Sequence, residues 1–297
     1  MSHNHTHEHS STSDLKLAFF LNLFFTILEI FGGLYTNSLA ILSDAVHDLG
    51  DSMSLGMAWY LENYAQKGED KRYSYGYQRY SLLSALINTV ILTVGSLFIL
   101  SQAVPRLLNP EPTDAQGMVI FAILGIIVNS IAVLRLRGGK TLNAKVIAWH
   151  LIEDVLGWAA VLALSIILLF TDFYILDPIL SILITAYILY NVIKNMRATL
   201  ALFMQAVPEN VDLENINERL LEIDNICSTH HTHVWSMDGQ HHVLTAHLVV
   251  EEDTTREQVR CIKEEINQLS RDLDFFHTTV EIEYGDEKCS MASTPSE

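Results

Sequence analysis

The apolar residues of this chain fall into six long blocks, and a more polar segment of roughly 90 residues follows them. The blocks cover residues 15–34, 40–61, 82–107, 117–136, 147–170 and 175–193. Each holds roughly 20 residues, and at about 1.5 Å of rise per residue such a helix crosses about 30 Å of hydrocarbon. A soluble domain would show its apolar positions as short periodic runs instead. The pattern therefore predicts six transmembrane helices.

The boundaries of these blocks predict four parts. Residues 1–14 are polar, carry alternating histidines and are expected to be a disordered His-rich leader, for which loose metal capture, a solvated tail and a tag remnant all stay open. Residues 15–205 form the transmembrane domain, residues 206–285 a cytosolic domain and residues 286–297 a tail. The first block is too long for the apolar core of a secretion signal and lacks a basic segment before it, so it is interpreted as a span.

The polar segment after the sixth block has the periodicity of a small mixed domain. Residues 211–223 and 254–269 repeat apolar positions as helices do, with Thr254 or Thr255 as the N-cap of the second helix. Residues 231–237, 242–250 and 278–284 alternate as strands, with Asp238, Gly239 and Gln240 as a turn. The predicted fold is a membrane all-α six-helix domain plus an α+β (αββαβ) cytosolic C-terminal domain.

Basic residues predict how the chain crosses the membrane. Lys and Arg are concentrated in the loops after the second and fourth blocks and after the sixth block. Because cytoplasmic loops carry this excess, both termini are expected in the cytoplasm. The spans are expected to lie in the cell inner (plasma) membrane, in contact with its lipid. The net charge of −17 argues against nucleic acid as a partner. The three cysteines lack a C-x-x-C spacing and are expected to be free thiols.

Two of the blocks contain the same pair of ionisable residues. His47 and Asp51 in the second block, and His150 and Asp154 in the fifth, are each four residues apart. This spacing puts both side chains of a pair on one helix face. Two such faces turned toward each other would offer two imidazoles and two carboxylates, a set that suits tetrahedral Zn²⁺ and also Co²⁺ or Cd²⁺. Without thiolates the set does not suit Cu(I), and its nitrogens argue against Mg²⁺ and Ca²⁺.

Charged groups inside a span are expensive, so each needs a functional or structural explanation. A single His/Asp pair can be a helix-packing hydrogen bond, but its repetition in two spans favours a metal site. Asp44 and Asp48 are not repeated and stay off the ligand set, while Glu153 is a candidate for supporting a ligand or relaying a proton. Asn22 and Glu29 either line an ion path or bond a neighbouring helix, and the second interpretation is favoured. Asp177, followed by proline, is predicted to cap the sixth helix.

The motifs around these residues resemble the cation diffusion facilitator family, in particular its bacterial cobalt–zinc–cadmium resistance branch. They lie at residues 38–51, 75–79, 150–154 and 177–181, and the resemblance runs from about residue 15 to about residue 284. It implies a homodimeric exporter that moves divalent cations out of the cytoplasm in exchange for protons. Members with this two-histidine, two-aspartate set usually prefer zinc.

The resemblance also implies a metal site in the cytosolic domain. Residues 229–235 are similar to a family strand motif whose first histidine falls at His230; His247 and Glu283 match positions on the next strands, and His277 is a candidate fourth ligand. His231, His233, His241 and His242 could substitute, or some of these residues are surface histidines. Some relatives carry a further site in the loop after the second span. Here Tyr73 and Tyr77 occupy its histidine places, so that site is expected to be missing.

The expected function is efflux of Zn²⁺, with Cd²⁺ and Co²⁺ as further substrates, by proton-coupled antiport. Metal needs neutral imidazoles and ionised carboxylates, so protons compete with the ion for the same four side chains. A metal-gated channel or a membrane metal sensor is the alternative. A metalloenzyme is not expected, because no H-E-x-x-H occurs and four protein ligands leave no open position for water.

Overall fold

The computed structural model describes residues 8–65, 67–136, 142–287 and 289, without the side chains of residues 8–18, 58–59, 61–63, 65, 135–136 and 142–151. The chain divides into two compact units, Met1–Lys67 with Leu83–Met196 and Gly68–Leu82 with Arg197–Glu297. Residues 1–7 of the predicted leader, which include His3, His5 and His7, lie outside the described residues.

Six long helices make up most of the first unit: α1 (Glu8–Thr36), α2 (Leu39–Ala65), α3 (Tyr80–Leu108), α4 (Ala115–Leu136), α5 (Leu142–Phe170) and α6 (Leu176–Phe203). Helix α1 begins before the first apolar block, because neither glycine nor proline interrupts its polar first turns. Within the described part of the chain, five of the helices are long and apolar enough to cross a membrane. Helix α2 is the exception, since Asp44, Asp48 and Asp51 interrupt its apolar stretch.

An apolar core joins α1, α2, α4 and α5. Phe25, Ile41 and Met118 pack with Trp158, whose indole is almost fully buried. The rings of Phe25 and Trp158 meet edge to face at 6.1 Å. Gly125 of α4 faces this indole, and a Cβ at that position would overlap it. The missing side chain therefore allows α4 and α5 to approach closely, as small residues do between membrane helices.

Polar contacts add to the packing of α1 against α2. The Asn22 amide donates to the Asp48 carbonyl at 3.1 Å and to Ser52 Oγ at 3.0 Å. Thr26 Oγ1 lies 3.3 Å from the same Ser52 hydroxyl. The interpretation of Asn22 as a residue that bonds a neighbouring helix is confirmed. Glu29, about two turns further along the same face of α1, is buried.

The prediction that Asp177 caps its own helix is wrong. Its carboxylate accepts from Ser38 Oγ at 2.6 Å and from the backbone N–H groups of Leu39 at 2.8 Å and Ala40 at 3.3 Å. The first N–H groups of any helix lack intrahelical partners, and here those of α2 turn to a residue of α6. Asp177 therefore ties the start of α2 to the start of α6, and Pro178 lies in a first turn where a missing N–H costs nothing.

The second unit contains α7 (Leu213–Leu221), β1 (Ile226–Ser236), β2 (His242–Val250), α8 (Arg256–Asp272) and β3 (Phe275–Tyr284). This is the predicted order, α-β-β-α-β. The strands form one sheet in the order β1-β2-β3, with β2 antiparallel to β1 and parallel to β3. Even-numbered positions of β2, such as Leu244 and Leu248, pack with Leu220 of α7 and Ile262 of α8. The odd-numbered positions therefore point to the other face of the sheet.

Local sequence explains where these elements begin and turn. Thr255, one of the two predicted N-cap candidates, starts α8 in a capping box with Gln258. Between β1 and β2, Asp238 accepts from the N–H groups of Gln240 at 2.9 Å and His241 at 2.8 Å. Gly239 has a φ of +99°, in the region that favours glycine. The predicted turn at residues 238–240 is confirmed.

We expect Asp177→Ala to destabilise the chain by about 1–3 kcal/mol, because it removes an N-terminal cap and three hydrogen bonds to a buried carboxylate. Denaturant unfolding in detergent micelles measures this. Asp172→Ala is the control: Asp172 lies in the turn before α6 and accepts from the Tyr174 hydroxyl at 3.0 Å, so its loss should cost less than about 0.5 kcal/mol. Equal stability of the two variants would show that Asp177 does not hold α2.

Candidate metal centres

Two helices bring three of the four predicted intramembrane ligands together. His47 and Asp51 occupy one face of α2, with His47 Nε2 3.8 Å from Asp51 Oδ2. Asp154 reaches the same imidazole from α5, with its Oδ1 also 3.8 Å from His47 Nε2. The imidazole nitrogen thus lies between a carboxylate of its own helix and one of a neighbouring helix. The i,i+4 spacing on α2 was the sequence signal for the first of these contacts.

The three side chains differ in exposure. Asp154 is 9% exposed, whereas His47 and Asp51 are 27% and 30% exposed. Asp154 therefore forms the buried side of the group, and the two residues of α2 form its more accessible side. His150 lies one helical turn before Asp154 in α5, but its side chain is outside the described residues. The donors that are described, one nitrogen and two carboxylates, suit a divalent cation with borderline softness.

Other acidic residues lie near this group. Asp44 and Asp48 are both buried, and Asp44 Oδ1 faces Gly157 of α5. Glu153, adjacent to Asp154 in sequence, is exposed and accepts from the Tyr187 hydroxyl of α6 at 3.4 Å. Its contact is therefore with a different helix from the one that carries His47.

The second group of donors lies on the open face of the three-stranded sheet. His230 of β1 pairs in register with His247 of β2, and His247 pairs with Glu281 of β3. Glu283 is two positions further along β3 and so lies on the same face. His247 Nδ1 is 2.7 Å from Glu283 Oε1, and His230 Nε2 is 3.1 Å from Glu283 Oε2. Three predicted cytosolic ligands are therefore brought together.

A β-bulge shapes this part of β1. The register shifts between His230 and His233, so that β1 has one more residue than β2 between paired positions. His231 takes up the shift with a φ of +49°, and its ring lies 5.2 Å from the ring of His247. Bulges redirect side chains at functional sites. Here the bulge places two consecutive histidine rings beside His247.

A cysteine that sequence reasoning assigned no role joins these ligands. One donor atom from each of His230, His247, Glu283 and Cys289 lies within 4.8 Å of the others. His230 Nε2 is buried and has no hydrogen-bond partner in the described part of the chain, despite its short distance to Glu283. An imidazole nitrogen left without a hydrogen bond beside a carboxylate fits a metal ligand. The donor set of two nitrogens, one oxygen and one sulfur suits Zn²⁺.

Among the described residues, His277, the predicted fourth cytosolic ligand, does not belong to the cluster of donors around His247. Its Nε2 lies 3.1 Å from Thr279 Oγ1, and its ring meets Tyr75 edge to face at 5.5 Å. The alternatives are placed differently: His241 pairs with Asp238 at 2.7 Å, and His242 is buried at the start of β2. The loop after α2 places Asp70 against Tyr77, whose hydroxyl donates to it at 2.8 Å.

The surroundings of Glu283 act on the pKa of its carboxyl group in opposite directions. Desolvation by itself raises the pKa of Glu283, but hydrogen bonds from His247 and Cys289 and the nearby His230 outweigh it. The net result is a pKa below the usual value for glutamate. The group thus offers a carboxylate, rather than a carboxylic acid, at neutral pH.

Two family descriptions match the chain. Residues 15–204 match the cation efflux transmembrane domain, and residues 208–284 match the cation efflux protein cytoplasmic domain. Together they account for most of the 297 residues.

Individual bacterial proteins are similar over nearly the full length. The metal cation efflux system protein CzcD of Cupriavidus metallidurans is 31% identical, over 95% of this chain and 89% of its own. The cadmium, cobalt and zinc/H⁺-K⁺ antiporter of Bacillus subtilis is 32% identical, over 95% of this chain and 92% of its own. The zinc transporter ZitB of Pectobacterium atrosepticum is 31% identical, over 98% and 92%.

We expect the metal-free sheet to lose stability in acid through Glu283. The pKa of Glu283 is lower in the folded chain than in the unfolded chain, where it is about 4.3. The carboxylate therefore contributes fully to stability above about pH 4.3, and this stabilisation is lost as the pH falls through the folded-state pKa. Hydrogen exchange of the β2 and β3 amides, corrected for intrinsic rates, should show protection falling below about pH 4.3. Glu283→Gln should have lower protection at neutral pH and a smaller further loss in acid. The same pH profile in both proteins would contradict this role.

Proposed function

Because the chain belongs to the cation efflux family, we propose that it exports Zn²⁺, and also Cd²⁺ and Co²⁺, from the cytoplasm in exchange for protons. Similar proteins carry names that state zinc, cadmium or cobalt transport and an exchange that involves H⁺. The observation that carries the proposal is the meeting of His47 with Asp51 and Asp154 across two helices, at 3.8 Å in each case.

The transported ion is proposed to bind His47, Asp51, His150 and Asp154. Two carboxylates neutralise the two positive charges of the ion, which lowers the cost of holding it at membrane depth. The distances of 3.8 Å leave room between the described donors, and an ion would draw them to the shorter distances of direct coordination. Two imidazoles and two carboxylates are a tetrahedral set for Zn²⁺.

Exchange with protons follows from the chemistry of these ligands. Metal binds neutral imidazole and ionised carboxylate, so binding from the cytoplasm releases protons and protonation on the other side releases the metal. Imidazole in general titrates at about pH 6.5, where modest changes in proton concentration shift the balance between its protonated and neutral forms. The side chains of α2 and α5 need only change which side of the membrane they face.

The wider architecture is part of the same proposal. We place α2 as a sixth span beside the five apolar helices, with both termini on the cytoplasmic side of the inner membrane. The C-terminal domain is proposed to bind Zn²⁺ through His230, His247 and Glu283 and to form a homodimer with a second copy of the chain. The match to the family's cytoplasmic domain supports this assignment. Whether His277 adds a ligand stays a prediction.

Two other functions make different predictions. A metal-gated channel or sensor would use the C-terminal domain as its switch, and zinc would then produce an ionic conductance that needs no proton gradient. An enzyme would use the intramembrane ion as a catalyst and turn over a substrate without moving the ion. The proposed set of four protein ligands leaves no position for a reacting water, which argues against the enzyme. Coupling of zinc flux to a proton gradient distinguishes the carrier from the channel.

We expect His47→Ala and Asp154→Ala each to reduce zinc uptake into sealed vesicles to the level of protein-free vesicles. Each removes one ligand from a set of four and leaves the buried charges unbalanced. Glu153→Gln is the matched control, since Glu153 neighbours Asp154 but is exposed toward Tyr187, and it should retain most uptake.

All three variants are first checked for folding by size-exclusion chromatography in detergent. Folded His47→Ala and Asp154→Ala proteins that still transport zinc at the unmodified rate would refute the site. Zinc conductance that is independent of a pH gradient would favour the channel instead.

A further inference from the structure

We infer that Cys289 is a direct metal ligand and that bound metal fastens the segment after β3 onto the sheet. This rests on the proposed cytosolic site of His230, His247 and Glu283, and it adds a sulfur donor to that site. Cys289 lies beyond the match to the cytoplasmic domain, which ends at residue 284.

A tight turn returns the chain toward the sheet after β3. The N–H of Glu287 donates to the Tyr284 carbonyl at 2.8 Å, and the N–H of Tyr284 donates to the Glu287 carboxylate at 2.9 Å. This reciprocal pair reverses the chain direction within four residues. Cys289 is therefore brought back beside the strands instead of continuing away from them.

The thiol of Cys289 lies against two of the proposed ligands. Its Sγ is 3.6 Å from His247 Nδ1 and within 4.8 Å of a Glu283 carboxylate oxygen. Its donor atom falls within 4.8 Å of those of His230, His247 and Glu283. The thiol is thus positioned where an ion held by the other three side chains would need a fourth donor.

The chemistry of the completed set differs from that of the intramembrane site. A thiolate is a strong ligand for Zn²⁺ and a soft one, so it also favours Cd²⁺. On binding, the sulfur–metal bond forms and the thiol proton passes to water. Because Cys289 lies six residues beyond Glu283, the same ion would join β1, β2, β3 and the segment that follows them.

The other two cysteines provide an internal comparison. Cys227 and Cys261 are exposed and are not among the grouped donors in the described part of the chain. No cysteine occurs before residue 227, so the six membrane helices contain no sulfur ligand of this kind. A signal from metal-bound thiolate therefore reports on the cytosolic domain alone.

The first test measures alkylation of the full-length, metal-free chain by N-ethylmaleimide, with and without Zn²⁺, cysteine by cysteine in a mass spectrometer. A metal-bound thiolate is a poor nucleophile, so Zn²⁺ should slow labelling of Cys289 at least about tenfold and leave Cys227 and Cys261 unchanged. In His247→Ala the protection should disappear. Equal labelling of Cys289 with and without bound Zn²⁺ would overturn the inference.

The second test uses Co²⁺ as an optical probe. The full chain and Cys261→Ser should show a thiolate-to-cobalt charge-transfer band, and Cys289→Ser should lack it. Cys289→Ser should also weaken metal binding by at least about 10–100-fold, because the loss of a residue that only hydrogen-bonds to a ligand already costs that much. If the cobalt bands depend on His247 but contain no charge-transfer component, Cys289 is not a ligand, and the proposed site of His230, His247 and Glu283 still stands. Zinc uptake by vesicles is measured separately, so failure of the transport proposal is distinguished from failure of this one.

Discussion

The packing of the first unit depends on compensating the free-energy cost of the ionisable side chains of α2, which lie among apolar helices. In its first half this helix carries His47 and three aspartates, and if α2 is the sixth span, as proposed, each charged group at membrane depth costs about 2.5–3.5 kcal/mol. Its neighbours provide compensating contacts along its length. The carboxylate of Asp177 caps its first turn, Asn22 bonds its Asp48 carbonyl, and Asp154 faces His47. These contacts fix the rotation of α2, and that rotation directs the ligand face toward α5.

The two proposed metal centres use similar donors on different scaffolds. In the membrane unit the helical repeat places His47 and Asp51 together, and a second helix supplies Asp154. In the C-terminal unit, strand register places His230 opposite His247, and a parallel strand adds Glu283. The first group lacks sulfur, and its imidazole and carboxylates are groups from which protons can displace a bound ion. The second includes a thiol held by a turn after the last strand, which suits retention of an ion more than its release.

Sequence periodicity was sufficient to predict the secondary-structure elements and the face of α2 that carries His47 and Asp51. The i,i+4 spacing predicted the contact of His47 with Asp51, and strand alternation predicted the αββαβ order, because both depend on local geometry. The role of Asp177 was predicted wrongly, since an N-cap followed by proline does not reveal which helix its carboxylate reaches. Cys289 gave no signal at all: its position depends on a turn at residues 284–287 whose hydrogen bonds follow no strong motif. His230 was predictable only by resemblance, because the bulge at His231 breaks the alternation.

In the proposed transport cycle, protons and one divalent ion compete for the same side chains between α2 and α5. Calorimetric titration of the full chain with Zn²⁺, repeated in buffers of different protonation enthalpy, counts the protons released per bound ion. The cytosolic site binds the same number of ions in the unmodified chain and in the His47→Ala variant. The difference in bound ions and released protons between the two proteins therefore reports on the membrane site. The variant is expected to bind fewer ions and to release fewer protons, with the difference growing as pH falls from about 8 to about 6. Identical ion and proton counts in the two proteins would contradict it.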